Sequence, residues 1–186
     1  MSTLKFKFDK LVRDKVPNEL EQKGVKLYYK ILDSSNRIFA LKSKLLEEVQ
    51  ELLLAQSSYE ILSELCDVHD VLEFMHRLLK YEKVNIDRFR ICFNNSAFKN
   101  LLKAVQRDDF LENYQQDFSD IEQILYNISR HFYIATAKIT DARITKNEKF
   151  GGFLLGIFAK YVEINSRNHN AIQYFRNQPE KYPLIQ

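Results

Sequence analysis

Apolar residues recur at helical spacing through most of the chain. Two stripes follow one another between Ser34 and Lys80: Ile38, Leu41, Leu45, Val49 and Leu52, then Ile61, Leu65, Val68, Leu72, Met75 and Leu79. Apolar intervals of three and four mark an amphipathic helix, so two long helices are predicted. Asp33, Ser34 and Ser35 offer N-caps for the first, and Ser57 with Glu60 reads as a capping box opening the second. The short linker between them predicts antiparallel packing. Asn85 starts a third helical stretch through Arg88 to Phe93. Ser119 and Glu122 read as another capping box, with Ile121, Ile124, Leu125, Ile128, Phe132, Ala135 and Ile139 in one stripe. Alternation occurs near the start, where Leu4, Phe6 and Phe8 sit between lysines, and β-formers run from Val25 to Leu32. These read as two short strands flanking a short helix that ends at Gly24. Lys146 to Phe153 reads as a loop before a short apolar segment. The polar tail from Asn165, with Pro179 and Pro183, reads as loosely ordered.

Composition sharpens this pattern. Of 186 residues only four are glycine and three proline, and neither occurs from Val25 to Phe150. No glycine-rich phosphate loop exists, which argues against Rossmann and Walker-type nucleotide folds. Tight hairpins want glycine or asparagine at positive φ, so β-rich folds are disfavoured. The expectation is a mainly α fold, a helical bundle with two or three short strands near the termini. It forms one domain over residues 1–186, with 94–140 as a helical insertion and 165–186 as the tail. The net charge, 28 basic against 25 acidic residues or +3, gives no support to a nucleic-acid partner. Cys66 and Cys92 lie in apolar surroundings and read as buried thiols in a reducing, cytoplasmic setting. Met1 to Phe8 alternates, so no secretory leader is expected. The longest apolar run, Phe153 to Ala159, is too short for a bilayer, so no membrane partner is expected.

The chemistry concentrates in carboxylates on the two long helices. Glu47, Glu48 and Glu51 lie on the first, Glu64 and Asp67 on the second. At about 100° per residue Glu48 and Glu51 are about 60° apart, and Glu48 borders the apolar stripe. Glu64 and Asp67 fall inside the apolar arc of their helix, among Val68, Val71, Phe74 and Met75. Burying unpaired carboxylates is costly, and the escapes are protonation, a cationic partner or a metal. Antiparallel helices would face Glu48 and Glu51 toward Glu64 and Asp67, a set of hard oxygen donors suited to Mg²⁺ or Mn²⁺. The plainer alternative for the first helix is a solvated face with intrahelical pairs, for which Lys42 and Lys44 are one turn away. His69 reads as a hydrogen-bonded core histidine, and Asp70 as either a supporting carboxylate or an exposed one.

The pattern Glu47-Glu48-Val-Gln-Glu51, twelve residues, Glu64-Leu-Cys-Asp67 resembles the E-E-x-x-E … E-x-x-D signature of MazG-like proteins of the all-α NTP pyrophosphohydrolase superfamily. Lys10-Leu-Val-Arg-Asp-Lys-Val-Pro17 is similar to the opening block of its phosphoribosyl-ATP pyrophosphohydrolase-like branch, and Tyr29 to Asp33 to the strand that follows. Gly151-Gly-Phe153, preceded by Lys146 and Lys149, resembles its closing basic G-G-F loop. The four blocks cover roughly residues 9–92 and 142–163.

The resemblance implies a MazG-like helical bundle that cleaves nucleoside triphosphates, standard or non-standard, between the α- and β-phosphates, giving a monophosphate and pyrophosphate. It implies Glu48, Glu51, Glu64 and Asp67 as Mg²⁺ ligands, with Glu47 as a further ligand or a base or orienter for water. Lys10, Arg13, Lys15, Lys146 and Lys149 would grip phosphates, with Gly151 and Gly152 permitting close backbone approach. Asp14 would orient Arg13 or cap a turn. Homodimers or higher homo-oligomers are common in the family. Two departures stand out. Phe150 occupies the position usually basic before Gly-Gly, and residues 94–140 have no counterpart in short members. The aromatics there, including Phe98, Phe110, Tyr114, Phe118, Tyr126, Phe132 and Tyr133, are expected to pack extra helices or a subunit interface. The alternative function is a non-catalytic helical module that binds a nucleotide or a protein.

Overall fold

The structure, a computed structural model, describes residues 2–81, 101, 104–107, 110 and 112–185. The third helical stretch from Asn85 to Phe93, Cys92 and Phe98 lie outside the described residues. Elements follow in the order β1 (Thr3–Val12), α1 (Val16–Gln22), β2 (Val25–Ile31), α2 (Ser34–Leu54), α3 (Ser58–Tyr81), α4 (Tyr114–His131), α5 (Thr136–Phe150), β3 (Ile157–Asn165), α6 (His169–Arg176) and β4 (Leu184–Ile185). The chain divides into two compact units. Residues 1–33 and 149–186 form one, and residues 34–148 the other.

The first unit is built on a four-stranded antiparallel sheet in the order β2-β3-β1-β4. The molecule is therefore mixed α/β, and the expectation of a mainly helical bundle is wrong. Glycine scarcity excludes tight hairpins, and this sheet has none. β1 reaches β2 through α1, β2 reaches β3 through the whole helical unit, and β3 reaches β4 through α6. β3 is the strand hidden in the "short apolar segment". It pairs on both sides, and Ile157, Ala159, Val162 and Ile164 are buried. One face of the sheet packs Phe6, Val25, Val162 and Ile164 against Leu20 of α1 and Ile172 and Phe175 of α6. The segment read as a loose tail is thus ordered. Asn168 caps α6 by accepting from the Ala171 amide at 3.2 Å, Phe175 stacks on Phe6, and Tyr182 packs against Phe8 and Phe175. Asp9, at φ 46°, sits where the β1–β3 register shifts.

In the second unit the two long stripes form α2 and α3, which pack on each other. The capping box is present: Glu60 N–H donates to Ser57 Oγ and Ser57 N–H to Glu60 Oε2, both at 3.1 Å. The box read at Ser119 and Glu122 is not a helix start. Asn113 caps α4, and those two residues lie inside it. The single stripe from Ile121 to Ile139 is two helices, broken at Phe132 to Ala135 with Tyr133 at φ 55°. α5 then runs to Phe150, so the predicted loop begins only at Gly151. Of the insertion's aromatics, Phe110 and Phe118 are buried and pack together, whereas Tyr126 and Tyr133 are exposed. No helix among the described residues is long and apolar enough to cross a membrane.

Candidate metal centre

α2 presents Glu48 among Leu45, Val49 and Leu52, all buried, and Glu48 itself is only 4% exposed. Glu51 lies one turn on, and α3 brings Glu64. One carboxylate oxygen from each of Glu48, Glu51 and Glu64 lies within 4.8 Å of the others. The helix pair therefore does bring acidic residues from both segments together. Glu64 Oε2 is buried and accepts no hydrogen bond among the described residues. Burial lifts the Glu64 pKa to about 7, and the charges of Glu48, Asp67 and Glu51 push the same way. Burial also raises the Glu48 pKa, reinforced by Asp67 and Glu51 and opposed by Lys44.

Three carboxylates of the predicted set, Glu47, Glu48 and Asp67, sit beside cations. Glu47 pairs with Lys44 at 3.0 Å, and Lys44 also reaches Glu48 at 2.5 Å. Burial disfavours the Lys44 ammonium, yet Glu48 and Glu47 outweigh it and hold its pKa above the ordinary value. Asp67 pairs with Lys146, whose Nζ also donates to Ser63 Oγ at 2.9 Å and to the Ser63 carbonyl at 3.1 Å. Lys146, predicted to hold phosphate, is thus a partner of the acidic helix. Asp70, left open between two readings, is buried and bound by Arg143 Nε at 2.7 Å and Asn147 Nδ2 at 3.0 Å. Arg143 had no place in the sequence reading. Its signal would have been spacing: Arg143 and Lys146 are three apart on one helix, as are Asp70 and Asp67 on α3. Burial lowers the His69 pKa to about 4, with Arg143 adding to the effect. Burial raises the Cys66 pKa to about 11, and its thiol donates to the Ile139 carbonyl at 3.6 Å, so it is an inert core group.

The remaining predicted residues belong to the sheet unit, where the two motifs bind each other. Lys15 N–H donates to the Phe150 carbonyl at 2.9 Å, Asp14 N–H to Gly152 at 2.7 Å, and the buried Arg13 guanidinium to Gly151 at 3.0 Å. Arg13 also lies 5.1 Å over the Phe153 ring. The Asp14 carboxylate accepts from the Leu154 and Leu155 amides, both at 2.9 Å, which is the turn cap expected of it. Gly151, at φ 75°, is needed here for its own chain. A Cβ on it would meet Asp14 Cβ and Lys15 N at 3.1 Å. Lys10 sits 5.0 Å over the Tyr182 ring and Lys149 4.7 Å over Phe150.

The predicted residues thus fall into two groups, an acidic cluster on α2 and α3 and a self-bonded clamp within the sheet unit. Three close carboxylates, one with a buried oxygen that lacks a donor among the described residues, are hard oxygen donors that could hold a small divalent cation. No protein-family model, curated protein or solved structure matches this chain.

Proposed function

We propose that this chain is a divalent-cation-dependent nucleoside triphosphate pyrophosphohydrolase whose metal ligands are Glu48, Glu51 and Glu64. The observation that carries the reading is the convergence of three carboxylates within 4.8 Å, with Glu64 Oε2 buried and without a hydrogen-bond donor among the described residues. Like charges at this range raise one another's pKa and favour a compensating cation. The ordered blocks resembling MazG-like pyrophosphohydrolases give the reading its substrate class and favour Mg²⁺, with Mn²⁺ as a substitute.

Such an ion offsets triphosphate charge and lowers the pKa of a bound water. The chain's own residues do the rest. Burial keeps Glu48 in a water-poor setting, where charge interactions are stronger. Lys44 ties Glu47 to Glu48, and on the resemblance Glu47 would orient a water. Lys146 holds Asp67 against Ser63, and release of that pair would make Asp67 a fourth ligand. Lys10, Lys15 and Lys149 remain candidates for phosphate on the resemblance alone.

Pyrophosphate release from a panel of NTPs and dNTPs, with and without Mg²⁺ or Mn²⁺, tests the reading. Metal-dependent turnover that Glu48→Gln or Asp67→Asn abolishes supports it. Turnover untouched by Glu48→Gln removes the proposed centre. The Lys146–Asp67 pair, which already neutralises one predicted ligand, favours a second reading as a nucleotide-binding module without turnover. Calorimetric binding with no pyrophosphate released would select it.

A further inference from the structure

We propose that the face of the sheet opposite its core binds single-stranded nucleic acid. The near-neutral whole chain conceals a segregated charge. Residues 1–33 and 149–186 carry 13 Lys and Arg against 7 Asp and Glu, or +6, while residues 34–148 carry 15 against 18, or −3. The expectation of no nucleic-acid partner rested on the sum of the two.

Side chains alternate across a strand. The core face takes Phe6, Val25, Val162 and Ile164, and both helices of this unit contribute to that cluster. Their neighbours point the other way and align in two rows by register. Lys26, Glu163 and Lys5 form one row, and Tyr28, Tyr161 and Lys7 the next. The two tyrosine rings stack with centroids 4.4 Å apart and planes 17° apart. Lys26 lies 4.7 Å over the Tyr28 ring and Lys5 5.4 Å over Tyr161. Lys5 and Lys7 are about half exposed, at 45% and 53% of their side chains. Two carboxylates temper this charge. Glu163 pairs with Lys5 at 3.0 Å and accepts from the Tyr28 hydroxyl at 2.7 Å, and Asp9 pairs with Lys7 at 2.7 Å.

Aromatic rings on a sheet face with lysines beside them match the two needs of a single strand, base stacking and phosphate neutralisation. The ring faces that Lys5 and Lys26 now cover are surfaces a base can take, with the flexible lysine stems moving out to adjacent phosphates. A duplex hides its base faces and gains only the charge term.

Fluorescence anisotropy of the full chain with labelled oligo-dT and oligo-U, against a duplex of equal length, tests this. Both single strands are expected to bind more tightly than the duplex, and the tighter of the two names the source. Three lysine contacts give a log–log salt slope of about −2. Lys5→Ala with Lys26→Ala should weaken binding about tenfold and flatten that slope by about 1.4. Tyr28→Leu with Tyr161→Leu should weaken it at least about tenfold at unchanged slope. Glu163→Gln, which keeps the shape of the face, should tighten binding several-fold. No binding at 50 mM salt, equal binding of duplex, or Glu163→Gln binding no tighter than the unaltered chain overturns the proposal. The last arm stands even where the tyrosine variant fails to fold by circular dichroism.

Discussion

The α2–α3 carboxylates and the Arg13–Asp14 clamp look alike as sequence, since both are dense charged motifs of a kind that serves phosphate chemistry. They differ in how far the chain satisfies them. At the clamp, the groups of Arg13, Asp14 and Lys15 meet the carbonyls of Phe150, Gly151 and Gly152 and the amides of Leu154 and Leu155. In the carboxylate cluster, folding brings three acidic groups together with Lys44 on one of them, and Glu64 Oε2 is buried without a donor among the described residues. A buried polar group is ordinarily paired because an unpaired one is costly. The contrast is between a motif paired within its own unit and a cluster proposed to take a cation.

The largest expected effect tests the cluster. Glu64→Gln should lower metal-dependent pyrophosphate release a hundredfold to thousandfold, about 3–4 kcal/mol in transition-state terms. The same variant removes a repelling charge, so the metal-free protein should melt at an equal or higher temperature. Lower stability together with lower activity would make Glu64 an ordinary structural residue and erase the contrast.

The next effect tests the clamp. Gly151→Ala imposes a Cβ at positive φ and within 3.1 Å of Asp14 and Lys15. The expected loss is about 2 kcal/mol in urea unfolding. Gly24→Ala shares the positive φ but meets only the Asn168 amide at 3.3 Å, and should cost about 1 kcal/mol. Equal losses at the two positions would mean that backbone conformation, not the close approach of the motifs, sets the requirement. Asp14→Ala removes the acceptor of two amides and should cost about 1 kcal/mol, with no change in metal affinity by titration.

The helical unit was the more legible half. Ile38 to Leu52 and Ile61 to Leu79 are periodic over many turns, and the Ser57–Glu60 box is local chemistry that needs no tertiary context. The meeting of Glu48 with Glu64 followed from their place in two apolar arcs joined by a short linker. The sheet was less legible because its pairings are distant. Thr3 aligns with Asn165 and Val25 with Ile164, and nothing local announces either. β3 reads as an apolar run because Ile157 to Ala159 continue the apolar residues Phe153 to Leu155, and a register shift at Lys160 interrupts the alternation that follows. α6 was missed although Asn168, Ile172 and Phe175 carry its cap and its apolar face. The mutual bonding of residues 13–15 and 150–155 was not legible, because a lone sequence cannot show that two segments so far apart are each other's partners.

The smallest effect compares the unaltered chain with Glu64→Gln across pH, without metal. A folded-state pKa near 7 for Glu64 lies above its ordinary value of 4.5, so between these values the native state holds more protons than the unfolded. Stability from this group is therefore full below about pH 4.5 and is lost as pH rises through 7. His69 acts oppositely. Its pKa falls from 6.5 to about 4, so its contribution is full above about pH 6.5 and is lost as pH falls through 4. The two trends oppose each other in the unaltered chain and separate only in the difference between proteins, because His69 is common to both. That difference should be near zero at pH 4.5 and should favour Glu64→Gln at pH 8 by about 1 kcal/mol, after allowance for the solvent screening of a half-buried group. In a chain of this size it is a shift of about 2–4 °C in melting temperature. Mg²⁺ should raise the melting temperature of the unaltered chain at pH 8 and not at pH 4.5, where protonation already relieves the repulsion. Parallel melting curves for the two proteins from pH 4.5 to 8 would mean that Glu64 is not held above its ordinary range. The cluster would then be as self-satisfied as the clamp.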